Sequence, residues 1–296
     1  MPVGRRMVLF CLSIRKRSCS YPQPFARRGH PVQYCYRYVP RVDGSTPPPH
    51  RSKTDRYSSV ILPTGGFDFP MRFSDHLVET ESELWTAQKS HPFVTELADG
   101  TLDEAAFRTW LEQDYRYLHD YARTFAVLGT KARQEETMAH CFAVAGDIVD
   151  EEMDLHREFA ADYGLTPQDL AGVEKVPTCV AYTNYLLRTA RERPLGVGAA
   201  AIYPCGRGYL DIAEHMAERS DGEHRYTPFI AKYTSDEFRE SVAWMTELVD
   251  RCAERHPSLR DEMATAFRRC TQLEHAFWKM AYTEEAWPHE RRQEVV

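Results

Sequence analysis

From Ser74 to Tyr282 apolar side chains recur three and four residues apart almost without a break. That period constrains the fold more than any other feature, because it matches one face of an α-helix. Ser74 is placed to cap a helix running to about Gln88. Thr101-Leu102-Asp103-Glu104 reads as a capping box, opening a helix to about Lys131. In that helix Phe107, Trp110, Leu111, Asp114, Tyr117, Leu118 and Tyr121 share helical spacing. Further segments follow over Glu135–Tyr163, ended by Gly164, and Cys179–Arg193, ended near Pro194. A segment over 197–218 is interrupted by a proline and two glycines. Thr234-Ser235-Asp236-Glu237 forms a second box ahead of a helix over about 235–254, and Ser258 is placed to cap a last helix to about Tyr282. Alternating period-two runs with turn punctuation are missing, which argues against a sheet. The expectation is an all-α bundle of six or seven long helices joined by short loops.

The chain has 296 residues, and its charge is unevenly placed. The first 70 hold 12 Lys+Arg against three acids, which leaves 25 basic and 41 acidic residues after them, a net of −16. A body so acidic repels phosphate backbones, so nucleic acid is not an expected partner. Residues 1–70, with Pro-Pro-Pro at 47–49 and no sustained period, read as a basic, disordered extension ahead of a helical domain over 71–296. Eight cysteines form no Cys-x-x-Cys pair, and the five in the helical part read as reduced thiols of a cytoplasmic protein. No apolar run approaches the ~20 residues that span a bilayer, so a membrane is not an expected partner. Basic flanks around Met7–Ile14 sketch a signal peptide, but its apolar centre is short and diluted by Cys11 and Ser13.

Three constellations carry chemistry. Cys205 follows Pro204 inside the interrupted segment. A helix that restarts at Pro204 puts the thiol in its first turn, where the dipole favours thiolate, a soft nucleophile. The competing reading is a kinked helix with an incidental buried cysteine. Asp114, Tyr117 and Tyr121 lie on one face, suited either to the amidine edge of an aminopyrimidine or to an ordinary amphipathic surface. Glu274 precedes Phe277 and Trp278 by three and four residues. A carboxyl against aromatic surface acquires a raised pKa and can serve as acid and base; the alternative is a surface Glu beside core aromatics. Glu152/His156 and Asp211/His215 have i,i+4 spacing that suits a metal or a plain helix-surface pair. The Glu-x-x-His of di-iron bundles is absent, and neither His119 nor His140 is marked as a haem ligand, so no metal and no cofactor is expected.

Taken together, several segments resemble the TenA family, also called thiaminase II or aminopyrimidine aminohydrolase. They are Gln113-Asp114-Tyr115-Arg116-Tyr117, Ala181-Tyr182-Thr183-Asn184-Tyr185, Pro204-Cys205 with Tyr209, Phe229-Ile230-Ala231-Lys232-Tyr233 followed by Ser235-Asp236-Glu237-Phe238, and Glu274-His275-Ala276-Phe277-Trp278-Lys279-Met280-Ala281-Tyr282. Each is weak alone; five in order, across about Met71–Trp287, are specific.

The resemblance implies a haem-oxygenase-like helical bundle without haem, assembled as a homotetramer. It also implies hydrolysis of small aminopyrimidine products of thiamin breakdown, and possibly thiamin, to hydroxymethylpyrimidine for thiamin salvage. By the same resemblance Cys205 is the nucleophile and Glu274 the acid/base. Asp114 holds the amidine edge, and Tyr117, Tyr182, Tyr233 and Phe277 line the site. The chain departs from many relatives in Gly206-Arg207-Gly208, which is expected to loosen the pocket wall and to let Arg207 reach a substrate phosphate or carboxylate, unless it simply points to solvent. Other readings of the same fold are a metal-dependent oxidase and a pyrimidine- or thiamin-binding regulator without turnover.

Overall fold

The computed structural model describes residues 71–288; the basic segment expected over 1–70 lies outside them. Among the described residues every regular element is helical. In chain order they are α1 (Phe73–Thr80), α2 (Ser82–Lys89), α3 (Pro92–Ala98), α4 (Glu104–Lys131), α5 (Glu135–Asp147), α6 (Met153–Asp162), α7 (Pro167–Gly172), α8 (Pro177–Glu192), α9 (Leu195–Tyr203), α10 (Tyr209–Arg219), α11 (Thr227–Tyr233), α12 (Asp236–Arg255) and α13 (Arg260–Tyr282). Two π-turns, Ile148–Glu152 and Pro204–Gly208, join α5 to α6 and α9 to α10.

α4 and α13 form the frame. At ~1.5 Å per residue the 28 residues of α4 extend about 42 Å. Its buried stripe of Phe107, Trp110, Leu111, Leu118, Phe125 and Leu128 packs on α5, α8 and α13. α13 packs in turn on α8, α9 and the π-turn that follows α9. α9 is buried from Gly196 to Tyr203, which its largely small and apolar composition permits. A Cβ on Gly198 would overlap Leu128 Cδ2, so a bare glycine is what lets α9 lie so close to α4.

Several local expectations shift. The first helix is two, parted at Glu81. Ser74 is not a cap but a buried tether: its amide donates to Asp250 Oδ1 at 2.8 Å and its hydroxyl to Oδ2 at 3.1 Å. The helix expected from Thr101 is capped instead by Asp103, whose carboxylate accepts from Ala105 N, because the Thr101 and Leu102 amides are already committed to the Glu96 carbonyl. Ser235 accepts from Phe238 N and caps α12 as a single hydroxyl rather than a reciprocal box. Ser258 falls in a short 3₁₀ turn, and α13 begins at Arg260 without a side-chain cap. The reciprocal box that does form, Thr166 with Asp169, starts α7.

The largest correction concerns Pro204. The helix does not restart there. Pro204 has ordinary helical angles, φ −57° and ψ −38°, and the chain runs through the π-turn into α10. Proline lacks the N–H that an α-helix would use and its ring crowds the carbonyl four residues back. Widening one turn to π spacing absorbs both problems without breaking the rod.

Candidate active site

The side chains singled out from the sequence come from five separate elements and meet in the interior. α4 supplies Asp114, Tyr117 and Tyr121; α8 supplies Tyr182. The π-turn after α9 carries Cys205, α11 carries Tyr233, and α13 carries Glu274 and Phe277. Asp114, Glu274 and all five rings are buried, whereas Cys205 stays partly accessible among them. Tyr117 is the hub of the ring wall, with centroids 5.3 Å from Tyr121, 5.0 Å from Tyr182 and 5.8 Å from Phe277. Tyr209 stands 5.0 Å from both Tyr233 and Trp278, and its hydroxyl accepts from Trp110 Nε1 at 3.3 Å. Such offset and tilted rings suit a flat heteroaromatic guest.

Since no helix starts at Pro204, Cys205 has no free helix end to hold a thiolate. Burial pushes its thiol well above the ordinary value, and the neighbouring Glu274 charge pushes it further. The Tyr117 and Tyr121 hydroxyls beside the sulfur pull the other way without overcoming burial. The Tyr117 hydroxyl is itself buried without a formed hydrogen bond, so it has a donor to offer. The resting group is therefore a thiol, and its proton needs a nearby acceptor. Glu274 is the carboxyl beside it. Burial is the main cause that raises its carboxyl to about 8, and Asp114 adds to it; hydrogen bonds from Tyr182 and Cys205 counter in part. The Tyr182 hydroxyl donates to Glu274 Oε1. The sequence reading of a raised Glu274 pKa thus stands, with desolvation as its cause.

His156 is the residue sequence reasoning missed. Its Nε2 lies 2.7 Å from Asp114 Oδ2 and its Nδ1 lies 2.9 Å from the Glu152 carbonyl. A carbonyl only accepts, so Nδ1 carries a proton. The second nitrogen also faces an oxygen, and a carboxylate there makes the ring an imidazolium. Burial would lower the His156 pKa, but the Asp114 bond and the charges of Asp114 and Glu152 leave it raised. Asp114 is thereby oriented with one oxygen engaged; Oδ1 makes no hydrogen bond among the described residues. The i,i+4 spacing of Glu152 and His156 was the available signal, but it pointed equally to a metal. No group of three or more His, Cys, Asp or Glu among the described residues is arranged to hold a metal ion.

The Gly206-Arg207-Gly208 departure acts differently from expectation. A Cβ on Gly206 would lie 2.7 Å from Met245 Sδ, so the glycine admits α12 rather than widening the pocket. Arg207 Nε lies 3.0 Å from Asp211 Oδ1, so the guanidinium is held in an ion pair with the next turn. Asp211 also accepts from Trp85 Nε1 at 3.0 Å, so both of its oxygens are engaged by protein donors.

The helical part of the chain is similar to known proteins. The TENA/THI-4/PQQC family profile matches residues 80–284. An aminopyrimidine aminohydrolase of Halalkalibacterium halodurans is 34% identical over 220 residues, covering 73% of this chain and 98% of that protein. A solved TenA homologue from P. horikoshii OT3 superposes with a TM-score of 0.68 at 27% identity, over 72% of this chain and 99% of the other. A Shewanella denitrificans domain with a haem-oxygenase-like fold superposes at 0.58 with 15% identity, over 71% of this chain and 92% of that one, a likeness of fold alone.

Proposed function

The chain belongs to the TENA/THI-4/PQQC family, and from that premise we propose that it is an aminopyrimidine aminohydrolase acting in thiamin salvage, with Cys205 as its nucleophile. The observation that carries the reading is the placement of a partly accessible thiol against Glu274 and Asp114 inside a wall of tyrosines. A thiol on a closed helix with no catalytic role would not need two buried acids beside it.

The residues divide the chemistry as follows. Asp114 Oδ1 accepts a hydrogen bond from the exocyclic amino group of the pyrimidine, and His156 holds the carboxylate in place. The thiol proton passes to the Glu274 carboxylate. Sulfur then adds to a ring carbon while Glu274 returns that proton to the adjacent ring nitrogen. With aromaticity lost, the ring's electrons expel the amine from the neighbouring methylene, and the carbon–nitrogen pair leaves on the amine. Water adds to the methylene and its proton goes to the released amine. Reversal of the first steps frees the sulfur and restores the ring. The balance is hydrolysis, and every proton has a named carrier. The enclosing rings stack the guest and keep out competing water. An aminomethylpyrimidine is favoured over intact thiamin as substrate.

Replacing Cys205 with Ser and measuring hydrolysis of an aminomethylpyrimidine tests the reading. Turnover should fall by about 10³-fold or more, as expected when an essential nucleophile is removed; undiminished turnover would remove Cys205 from the mechanism. We further propose a homo-oligomer, with a tetramer as the expected form. It is supported by the exposed apolar residues Met138 and Phe142 on α5 and Val149 beyond them, 37%, 45% and 48% accessible. A cytoplasmic location is supported by the described cysteines, all of which are free thiols; no helix among the described residues is long and apolar enough to cross a membrane.

A further inference from the structure

Glu152 has no part in the chemistry above, yet its setting is unusual for a carboxylate. It closes the first π-turn, one helical turn from His156, whose ring is bonded to the Glu152 carbonyl. Residues four apart share a helix face, so the Glu152 side chain is on the face that His156 directs at Asp114. Its carboxylate makes no hydrogen bond and no ion pair among the described residues, although it remains partly accessible. Lys232 is near enough to be felt but forms no bond to it. Burial pushes the Glu152 pKa up, and only His156 and Lys232 ease it at a distance. Tyr121 and Tyr233 each feel both Glu152 and Glu274, so the two acids flank one tyrosine-walled space.

The charges in that space are unequally matched. Asp114 has its cation in His156. Glu274, raised to about 8, is mostly neutral at pH 7. Glu152 alone of the three lacks a direct partner, and a half-buried, unpaired carboxylate favours any cation that can reach it. We propose that Glu152 is a specificity-determining residue of this site, its carboxylate receiving the cationic amine carried on the methylene that is cleaved. The inference rests on the hydrolase reading and deepens it. Asp114 takes the ring edge, and Cys205 with Glu274 takes a ring carbon and nitrogen. The C5 substituent is what remains, and an aminomethyl group there is an ammonium at neutral pH. Glu152 selects that charged form and retains the amine until its bond to carbon breaks. A neutral amide on the same methylene has nothing to offer the carboxylate.

The test compares two substrates, an aminopyrimidine with an aminomethyl group and its N-formyl derivative, in the unsubstituted protein and in Glu152→Gln and Glu152→Asp. Losing one side of an enclosed charge pair should lower kcat/KM for the ammonium substrate relative to the formyl substrate by at least about 30-fold in Glu152→Gln. Glu152→Asp, which keeps the charge, should recover part of that ratio. Hydroxymethylpyrimidine binding by each variant, measured calorimetrically, reports whether the site is still formed. A ratio within twofold of the unsubstituted value in both variants overturns the assignment of Glu152. Failure of the unsubstituted protein to hydrolyse either compound overturns the hydrolase reading, and this inference with it.

Discussion

Replacing Glu274 with Gln should abolish turnover and, at the same time, make the folded protein more tolerant of alkaline pH. The carboxyl is raised from its ordinary 4.5 to about 8, chiefly by burial. Between those values the folded protein keeps a proton that the unfolded chain releases. A state that binds more protons loses stability as pH rises. Each tenfold change in proton affinity is worth about 1.4 kcal/mol, so the whole window corresponds to about 5 kcal/mol, a large share of a typical domain's stability. Gln keeps the shape and a carbonyl to accept from Tyr182, but it does not titrate. The assay is urea unfolding of both proteins at steps from pH 4.5 to 8.5. Other groups titrate in both, so the difference isolates residue 274. The unsubstituted protein should lose about 5 kcal/mol relative to the variant across the range. Its kcat/KM should also climb with pH until about 8, since the thiol needs an ionised Glu274 to take its proton. Parallel stability curves, or an activity limb near pH 4.5, would refute the claim that desolvation sets the Glu274 proton.

Three further outcomes are expected. His156→Leu strands a buried Asp114 carboxylate without its partner, which should destabilise the protein by about 3 kcal/mol in denaturant titrations and weaken hydroxymethylpyrimidine binding. Asp114→Asn removes the carboxylate proposed to hold the amino edge, so calorimetry should show pyrimidine affinity reduced about tenfold or more; unchanged affinity would exclude its anchoring role. Phe142→Glu places a charge in the exposed apolar face of α5 and should reduce the proposed homo-oligomer to smaller species by light scattering at unchanged helicity.

What was legible in the sequence has a common character. Helical period is written into each short segment, because an α-helix forms from bonds four residues apart and its apolar stripe needs no knowledge of distant chain. The all-α class therefore followed from Ser74–Tyr282, as did the shared face of Asp114 and Tyr117 and the pairing of Glu274 with Phe277. The choice of cap was less legible: Asp103 displaced Thr101 because Glu96, outside the motif, had already taken the Thr101 and Leu102 amides.

Protonation was decided by the tertiary structure alone. Whether Cys205 rests as thiol or thiolate depends on how Pro204 is accommodated, and a π-turn between α9 and α10 removed the helix end on which the sequence argument relied. The cation that holds Asp114 lies 42 residues away, on another helix. Composition and spacing name the groups that can exchange protons. Their proton affinities follow from desolvation and from charges brought together by packing, and those exist only once the chain has closed around them.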